Sequence, residues 1–155
     1  MATTADGWPY VVPADHPVEY PAVSQTLADL LEARWDTWQT EGQAVPGTGW
    51  ADFSGGGLGL MCTKAAGLVV AELSLKATSA LTLTAGWTAA ATLPVGFRPR
   101  ATRQFPLMIH TGSAYAAPGY AEINSAGGVG FRSVTSAALA ADTGYCHCIA
   151  VFRGA

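Results

Sequence analysis

The chain has 155 residues, of which half are hydrophobic and only 12% are charged, so it is long enough for one compact domain plus an appendage. This composition excludes an intrinsically disordered chain, which would have few hydrophobic residues and a high net charge. The net charge of −3 gives no general attraction to nucleic acid, and three cysteines are too few for a disulfide framework. No apolar run approaches the ~20 residues that span a membrane, and no signal peptide is visible, so we expect synthesis in a cytoplasm without membrane insertion.

Residues 1–22 are predicted to form an extended arm. Four prolines recur at intervals of four residues: Pro9, Pro13, Pro17 and Pro21. This spacing prevents a helix and favours a polyproline-like chain. Three large aromatic residues lie between or beside them: Trp8, Tyr10 and Tyr20. We interpret these as anchors that dock the arm on a partner or a neighbouring subunit; the alternative is a flexible leader.

Residues 23–41 are predicted to form one α-helix. Ser24 is a good N-cap, strong helix formers follow it, and Gly42 stands just past the end. A single helix of this length is marginal in water, so it has to pack on something. Its apolar stripe either joins the core of its own domain or forms a parallel bundle with copies of itself, with three residues along the seam: Leu27, Leu31 and Trp38.

The composition changes after the helix. Up to Val45 there are seven acidic residues and one basic residue, and from Pro46 onward there are four acidic and seven basic residues. Residues 42–49, which contain Pro46 and three glycines, are predicted to be a linker, and residues 50–155 to be a separate head domain.

The head alternates apolar and polar residues with a period of two, as half-buried antiparallel strands do. Residues 69–77 and 105–109 place every second apolar residue on one face, and residues 81–87 are expected to point Leu83 and Trp87 inward. Residues 125–128 predict a hairpin turn. Residues 145–152 are apolar on both faces, which indicates a central strand or an interface strand. Seven or eight such strands predict a mainly β fold, an antiparallel β-sandwich of jelly-roll type.

Between two of these strands lies the sequence Leu-Pro-Val-Gly-Phe-Arg-Pro, at residues 93–99. Its two prolines prevent a regular element, while Val95 and Phe97 can point inward. A Thr-rich strand that ends in Trp87 precedes it, and an apolar strand, a Gly-Gly-Val hairpin and an aromatic closing strand follow. This order resembles the C-terminal head domains of tailed-phage tail fibres and minor tail proteins, over roughly residues 50–155.

The resemblance implies a structural protein of a phage virion, a homotrimer whose head contacts the host surface. The arm would then bind other virion proteins, most simply in the tail. A capsid-attached head fibre or decoration protein is the main alternative, and a carbohydrate-binding module or a hydrolase is less favoured.

Cys146-His147-Cys148 is the most suggestive chemical cluster. In a strand the two cysteines share one face roughly 7 Å apart, while a tetrahedral zinc site needs about four converging ligands. We therefore expect reduced core thiols without metal and no cofactor. The chain has no Gly-x-Ser-x-Gly nucleophile elbow and few acids in the head, so no enzymatic activity is predicted.

A basic patch, Arg98, Arg100 and Arg103, follows the Pro-Gly segment. These arginines either pair with carbonyls at strand ends or bind an anionic glycan. The candidate surface for a host glycan combines two of them with two tyrosines: Tyr115, Tyr120, Arg100 and Arg103.

Overall fold

The computed structural model describes residues 39–116 and 118–155, together with two short strands near the start of the chain. These strands are β1 (Ala2–Thr3) and β2 (Pro9–Tyr10), and they pair antiparallel. The chain divides into two compact units, residues 1–39 and 40–155. In the first unit, the described part of the predicted arm is extended.

The larger unit is built from antiparallel strands. In chain order they are β3 (Gln39–Gln43), β4 (Val45–Pro46), β5 (Trp50–Asp52), β6 (Met61–Ala65), β7 (Leu68–Ala77), β8 (Leu81–Leu83), β9 (Thr88–Thr92), β10 (Arg103–His110), β11 (Gly119–Ile123), β12 (Gly128–Ser133), β13 (Ala137–Leu139) and β14 (Tyr145–Arg153). A short 3-10 turn, Leu58–Leu60, precedes β6. The mainly β, antiparallel class predicted from the sequence is confirmed. In the described part of the chain, no helix has the length and apolar character required to cross a membrane.

The sheet is partly barrel-like. Its strands follow the order β3-β6-β7-β14-β10-β11-β12-β9-β4, with β5 paired to β7 next to β6, and β8 and β13 form a separate pair. Only Ala44 separates β3 from β4, so one chain segment supplies both ends of this order. The Ala44 N–H donates to the Leu60 carbonyl at 2.8 Å, and the Gly47 N–H donates to the Ala90 carbonyl at 2.8 Å. Closure in this way covers backbone groups that free sheet edges would expose.

Residues 42–49 differ from the sequence prediction, because they join the two ends of the sheet instead of forming a linker. The compact unit begins at Thr40, and Ala44 is buried. Gly42 lies so close to Phe97 that an added Cβ would stand 2.7 Å from its ring. Residues 39–41, the last three of the predicted helix, belong to β3. The rest of that segment lies outside the described residues, so the helix stays a prediction, as does the β-sandwich.

The core lies inside the barrel and follows the predicted alternation. On β7 the inward residues are all fully buried: Val69, Ala71, Leu73, Leu75 and Ala77. Trp50 packs edge-on against Phe131, with ring centroids 5.4 Å apart, and its indole N–H donates to the Ala89 carbonyl at 3.0 Å. Many inward residues are small, and a single added methyl group is expected to matter in such a close-packed core.

The Pro-Gly segment at residues 93–99 crosses from β9 towards β10 without regular structure, as its prolines predict. The Phe97 N–H donates to the Pro94 carbonyl at 3.2 Å, and Gly96 has a φ of +94°, a conformation that favours glycine. Phe97 is buried, but Val95 is 80% exposed, contrary to expectation. The turn points Val95 outward while it holds Phe97 against β3.

Trp87 also differs from the prediction, since it is 39% exposed. The strand expected over residues 81–87 stops at Leu83, and β9 begins at Thr88. The Gly86 N–H donates to the Thr84 hydroxyl at 3.2 Å and forms a local turn. This turn interrupts the alternation of inward and outward side chains. The inward period of β8 therefore does not reach Trp87.

Candidate interaction surface

The outer face of the three central strands carries an apolar patch. The inner face of β14 fills the core, so the alternate residues of β14 and of its neighbours β7 and β10 point outward. The aliphatic side chains there that are between 40% and 57% exposed include Val70, Met108, Ile149 and Val151. We call these four residues the apolar wall. Val70 stands directly opposite Val151 in the register, so the wall continues across strands and is not a set of scattered residues.

A row of aromatic rings borders this wall at one end. Phe53 stacks on Tyr145 with ring centroids 4.1 Å apart, and Tyr145 stacks on His110 at 4.9 Å. His110 meets Tyr115 edge-on at 5.0 Å. We call these four residues the aromatic ladder. They come from the end of β5, the start of β14, the end of β10 and the following loop, so only the assembled sheet brings them together.

The loop after β10 fixes the last ring of the ladder. The Thr111 N–H donates to the Ala114 carbonyl at 2.8 Å, and the Ala116 N–H donates to the Ile109 carbonyl at 2.9 Å. Tyr115 is held between these bonds and is 64% exposed. A hydrogen bond with Tyr115 is the main cause that raises the pKa of Tyr145.

A shallow groove of about 640 Å³ lies beside the wall and the ladder. Its outward lining is mostly apolar: Pro106, Met108, Tyr115, Pro118, His147 and Ile149. Its volume is within the range of ligand pockets. The lining offers few polar groups that would orient a small ligand, which favours contact with another apolar surface.

A polar pair, Ser74 with His147, lies beside the groove. The Ser74 hydroxyl lies 2.5 Å from His147 Nδ1, across the β7–β14 pair. A nucleophilic site also needs an acid that orients the histidine. Among the described residues, Ser74 is the single side chain that hydrogen-bonds the His147 ring. The contact satisfies the hydroxyl of Ser74, a residue that is 8% exposed. It places a base next to a serine, without an orienting acid among the described residues.

The cysteines face the core. Burial raises the pKa of Cys62 to about 11 and that of Cys146 and of Cys148 to about 12, because the thiolate loses its hydration. All three are free thiols in the interior. Among the residues that the structure describes, no three His, Cys, Asp or Glu side chains converge as metal ligands would.

The four residues of the predicted glycan surface lie in different places. Tyr115 lines the groove, whereas Tyr120 on β11 lines a second hollow with Arg132. Arg103 begins β10 and is exposed, seven residues from His110, which corresponds to roughly 23 Å along a strand. The Arg100 guanidinium donates through Nε to the Gly154 carbonyl at 3.2 Å, a contact with a strand end.

The predicted docking and trimerisation residues are beyond what the structure describes. They are Trp8, Tyr20, Leu27, Leu31 and Trp38. Tyr10 is placed in β2, and its backbone alone is described there. The roles assigned to these six residues stay predictions.

Sequence reasoning missed most of the outer surface. The two-faced apolar character of residues 145–152 signalled the wall on β14, and that strand is central, as expected. Nothing local signalled Phe53, Met108 or Arg132, because their neighbours come from distant strands. A scan against protein-family models found no matching family, and a search of curated proteins found no match.

Proposed function

We propose that this chain is a structural protein of a tailed-phage virion, a trimeric fibre or minor tail protein whose head contacts the host surface. The proposal unites the motif order around residues 93–99 with the surface of the head. The motif order suggests the virion setting, and the surface suggests how copies associate.

The apolar wall is the observation that carries the proposal. Aliphatic side chains at the centre of a sheet cost free energy while water covers them, about 25 cal/mol for each Å² of apolar surface. Val70 and Val151 face each other across strands, and Ile149 is the next outward residue on β14, opposite the exposed Glu72. A second and a third copy that meet along β7, β14 and β10 would cover this row and the groove beside it. The wall has the character expected at the buried centre of a homo-oligomer interface.

Each part of the chain then has a separate role. In this proposal the head is a β fold of the jelly-roll kind, residues 23–41 form a trimerising helix, and residues 1–22 attach the protein to the virion. Attachment to the tail is the preferred location. The capsid surface is the alternative, and the same arm would serve there.

Light scattering on the purified protein tests the trimer. Three copies of the 15.9 kDa chain have a mass of about 48 kDa. Val151→Glu places a charge on the wall, which is costly if the wall becomes buried, and we expect it to shift the protein towards the mass of one chain. Val95→Glu is the matched control, because Val95 is also exposed but lies on the Pro-Gly segment; it should remain trimeric.

Two results would count against the proposal. A wild-type protein that is monomeric at micromolar concentration refutes the trimer. A trimer that Val151→Glu leaves intact refutes the wall as its interface. Gold-labelled antibodies against the head, applied to intact particles, locate it on the tail or on the capsid, and absence from particles refutes the virion role.

A further inference from the structure

Arg132 occupies an unusual position on the outer face of β12. In the register it stands opposite Tyr120 on β11, and Trp87 immediately precedes β9 on the other side of β12. The Arg132 Cζ atom lies 4.5 Å from the centroid of the Trp87 ring and 5.2 Å from that of the Tyr120 ring. Rings from both flanking strands therefore hold the guanidinium by cation–π contact.

This guanidinium has a buried donor without a partner among the residues that the structure describes. The Nε atom of Arg132 is buried and makes no hydrogen bond to any described residue. In contrast, Nε of Arg98 and Nε of Arg100 each donate to a backbone carbonyl. Glu122, on the strand next to Arg132, accepts a hydrogen bond from the Gln104 amide at 3.1 Å. Because Nε itself is covered, an acceptor from outside the chain can approach only the outer nitrogens of the guanidinium.

A hollow adjoins this guanidinium. Its volume is about 340 Å³, and it is lined by Ala85, Tyr120, Arg132, Ser133 and Val134. The Ser133 side chain is fully buried, because it follows Arg132 on β12 and lies on the inner face of that strand. Trp87 packs on Arg132 beside the hollow, so this surface combines one cation with two aromatic rings that are each about two-fifths exposed.

We propose that Arg132, Trp87 and Tyr120 form a binding subsite for the carboxylate of an acidic sugar. The two rings cover the guanidinium from its flanking strands, so an anion reaches it best at its edge, where two N–H groups fit the two oxygens of a carboxylate. The exposed parts of the rings pack against the C–H groups of the sugar. The hollow is at the lower end of ligand-pocket volumes, which suits one sugar unit of a longer glycan.

The subsite is compatible with the proposed trimer and rests on the proposed contact of the head with a host surface. In the strand order, β12 is three strands from β14, or roughly 14 Å at ~4.8 Å for each step. A trimer that buries the apolar wall would leave Arg132 on a neighbouring face. Several copies would then give weak single sites a useful combined affinity.

The test uses the full chain and oligogalacturonate, with its methyl ester as the neutral counterpart of the same size. Calorimetry should show that the wild type binds the acid at least about tenfold more tightly than the ester, because the ester lacks the second charged oxygen. Arg132→Gln should lose at least about tenfold in affinity for the acid, and Arg132→Lys should recover only part of it. Arg103→Gln removes an exposed charge elsewhere and should leave binding unchanged.

Folding is checked separately by circular dichroism. If Arg132→Gln does not fold, the indole N–H resonance of Trp87 in the wild type provides the second measurement. It should shift with the acid and stay in place with the ester. Equal binding of acid and ester, equal loss in Arg103→Gln, or inorganic phosphate binding as tightly as the uronate would overturn the subsite. Loss of the trimer with uronate binding intact would instead overturn the proposed assembly alone.

Discussion

Two glycines in one hairpin should respond oppositely to the same substitution. Gly119 on β11 faces a backbone atom, since a Cβ added there would stand 2.5 Å from the Arg132 carbonyl oxygen and 2.6 Å from Cδ1 of Ile109. Gly130 on β12 has room, because its nearest neighbour would be Trp87 at 3.6 Å, an ordinary contact. Both lie in strands with φ outside the left-handed region, although the pairing of β12 with β9 shifts register between Val129 and Gly130. Backbone preference therefore does not separate them, and only the space around them does.

The magnitudes follow from these contacts. Gly119→Ala should lower the free energy of unfolding by about 1–3 kcal/mol, the usual cost of overpacking, because neither a carbonyl oxygen in a ladder nor a buried isoleucine can yield easily. For a unit of this size that corresponds to a fall in Tm of about 4–12 °C. Gly130→Ala should leave stability unchanged or raise it by up to about 1 kcal/mol, because alanine restricts the unfolded chain.

Urea unfolding of the two variants and the wild type, followed by tryptophan fluorescence and by circular dichroism, measures both differences. Gly119→Ala should also weaken uronate binding, since the clash displaces the backbone of Arg132. If Gly119→Ala is as stable as the wild type, or if the two substitutions have equal effects, the register that pairs Gly119 with Ser133 is incorrect.

Two further outcomes concern titratable groups. Burial raises the pKa of Cys146 from its ordinary 9.0 to about 12, so its contribution to stability is complete below pH 9 and is lost as the pH rises towards 12. In thermal melts, Cys146→Val should reduce this loss of Tm at alkaline pH. An unchanged dependence of Tm on pH would contradict the burial of Cys146. Tyr115→Phe removes the hydrogen bond that raises the pKa of Tyr145, so that pKa should fall towards its usual value. An absorbance titration of the tyrosines measures it, and an unchanged pKa of Tyr145 would show that Tyr115 is not the cause of its rise.

The sequence alone determined the strands and their inward faces. Alternation over residues 69–77 predicted five buried side chains, and the structure buries all five. The hairpin at residues 125–128 and the irregular crossing at residues 93–99 were also predicted. These features depend on neighbours a few residues apart, and a period of two or a proline acts locally. The same local signals marked residues 145–152 as a strand with two apolar faces.

Part of the candidate site could be predicted as well. Tyr120 was expected on a binding surface, and it lines the hollow beside Arg132. Arg132 itself carries no local signal, since one arginine in a strand is usually a solvated charge. Trp87 was expected in the core, because the turn at Gly86 is a subtle break in an otherwise alternating sequence.

Tertiary structure decided the rest through pairings between distant segments. Closure of the sheet depends on Val45 pairing with Thr92, nearly fifty positions later, and composition made that same segment look like a linker. Arg132 meets Trp87 and Tyr120 only because β12 lies between β9 and β11 in one register. A shift of one residue would turn each of these side chains to the opposite face. The pattern along a strand specifies which side is buried, whereas packing among all strands specifies which strands become neighbours.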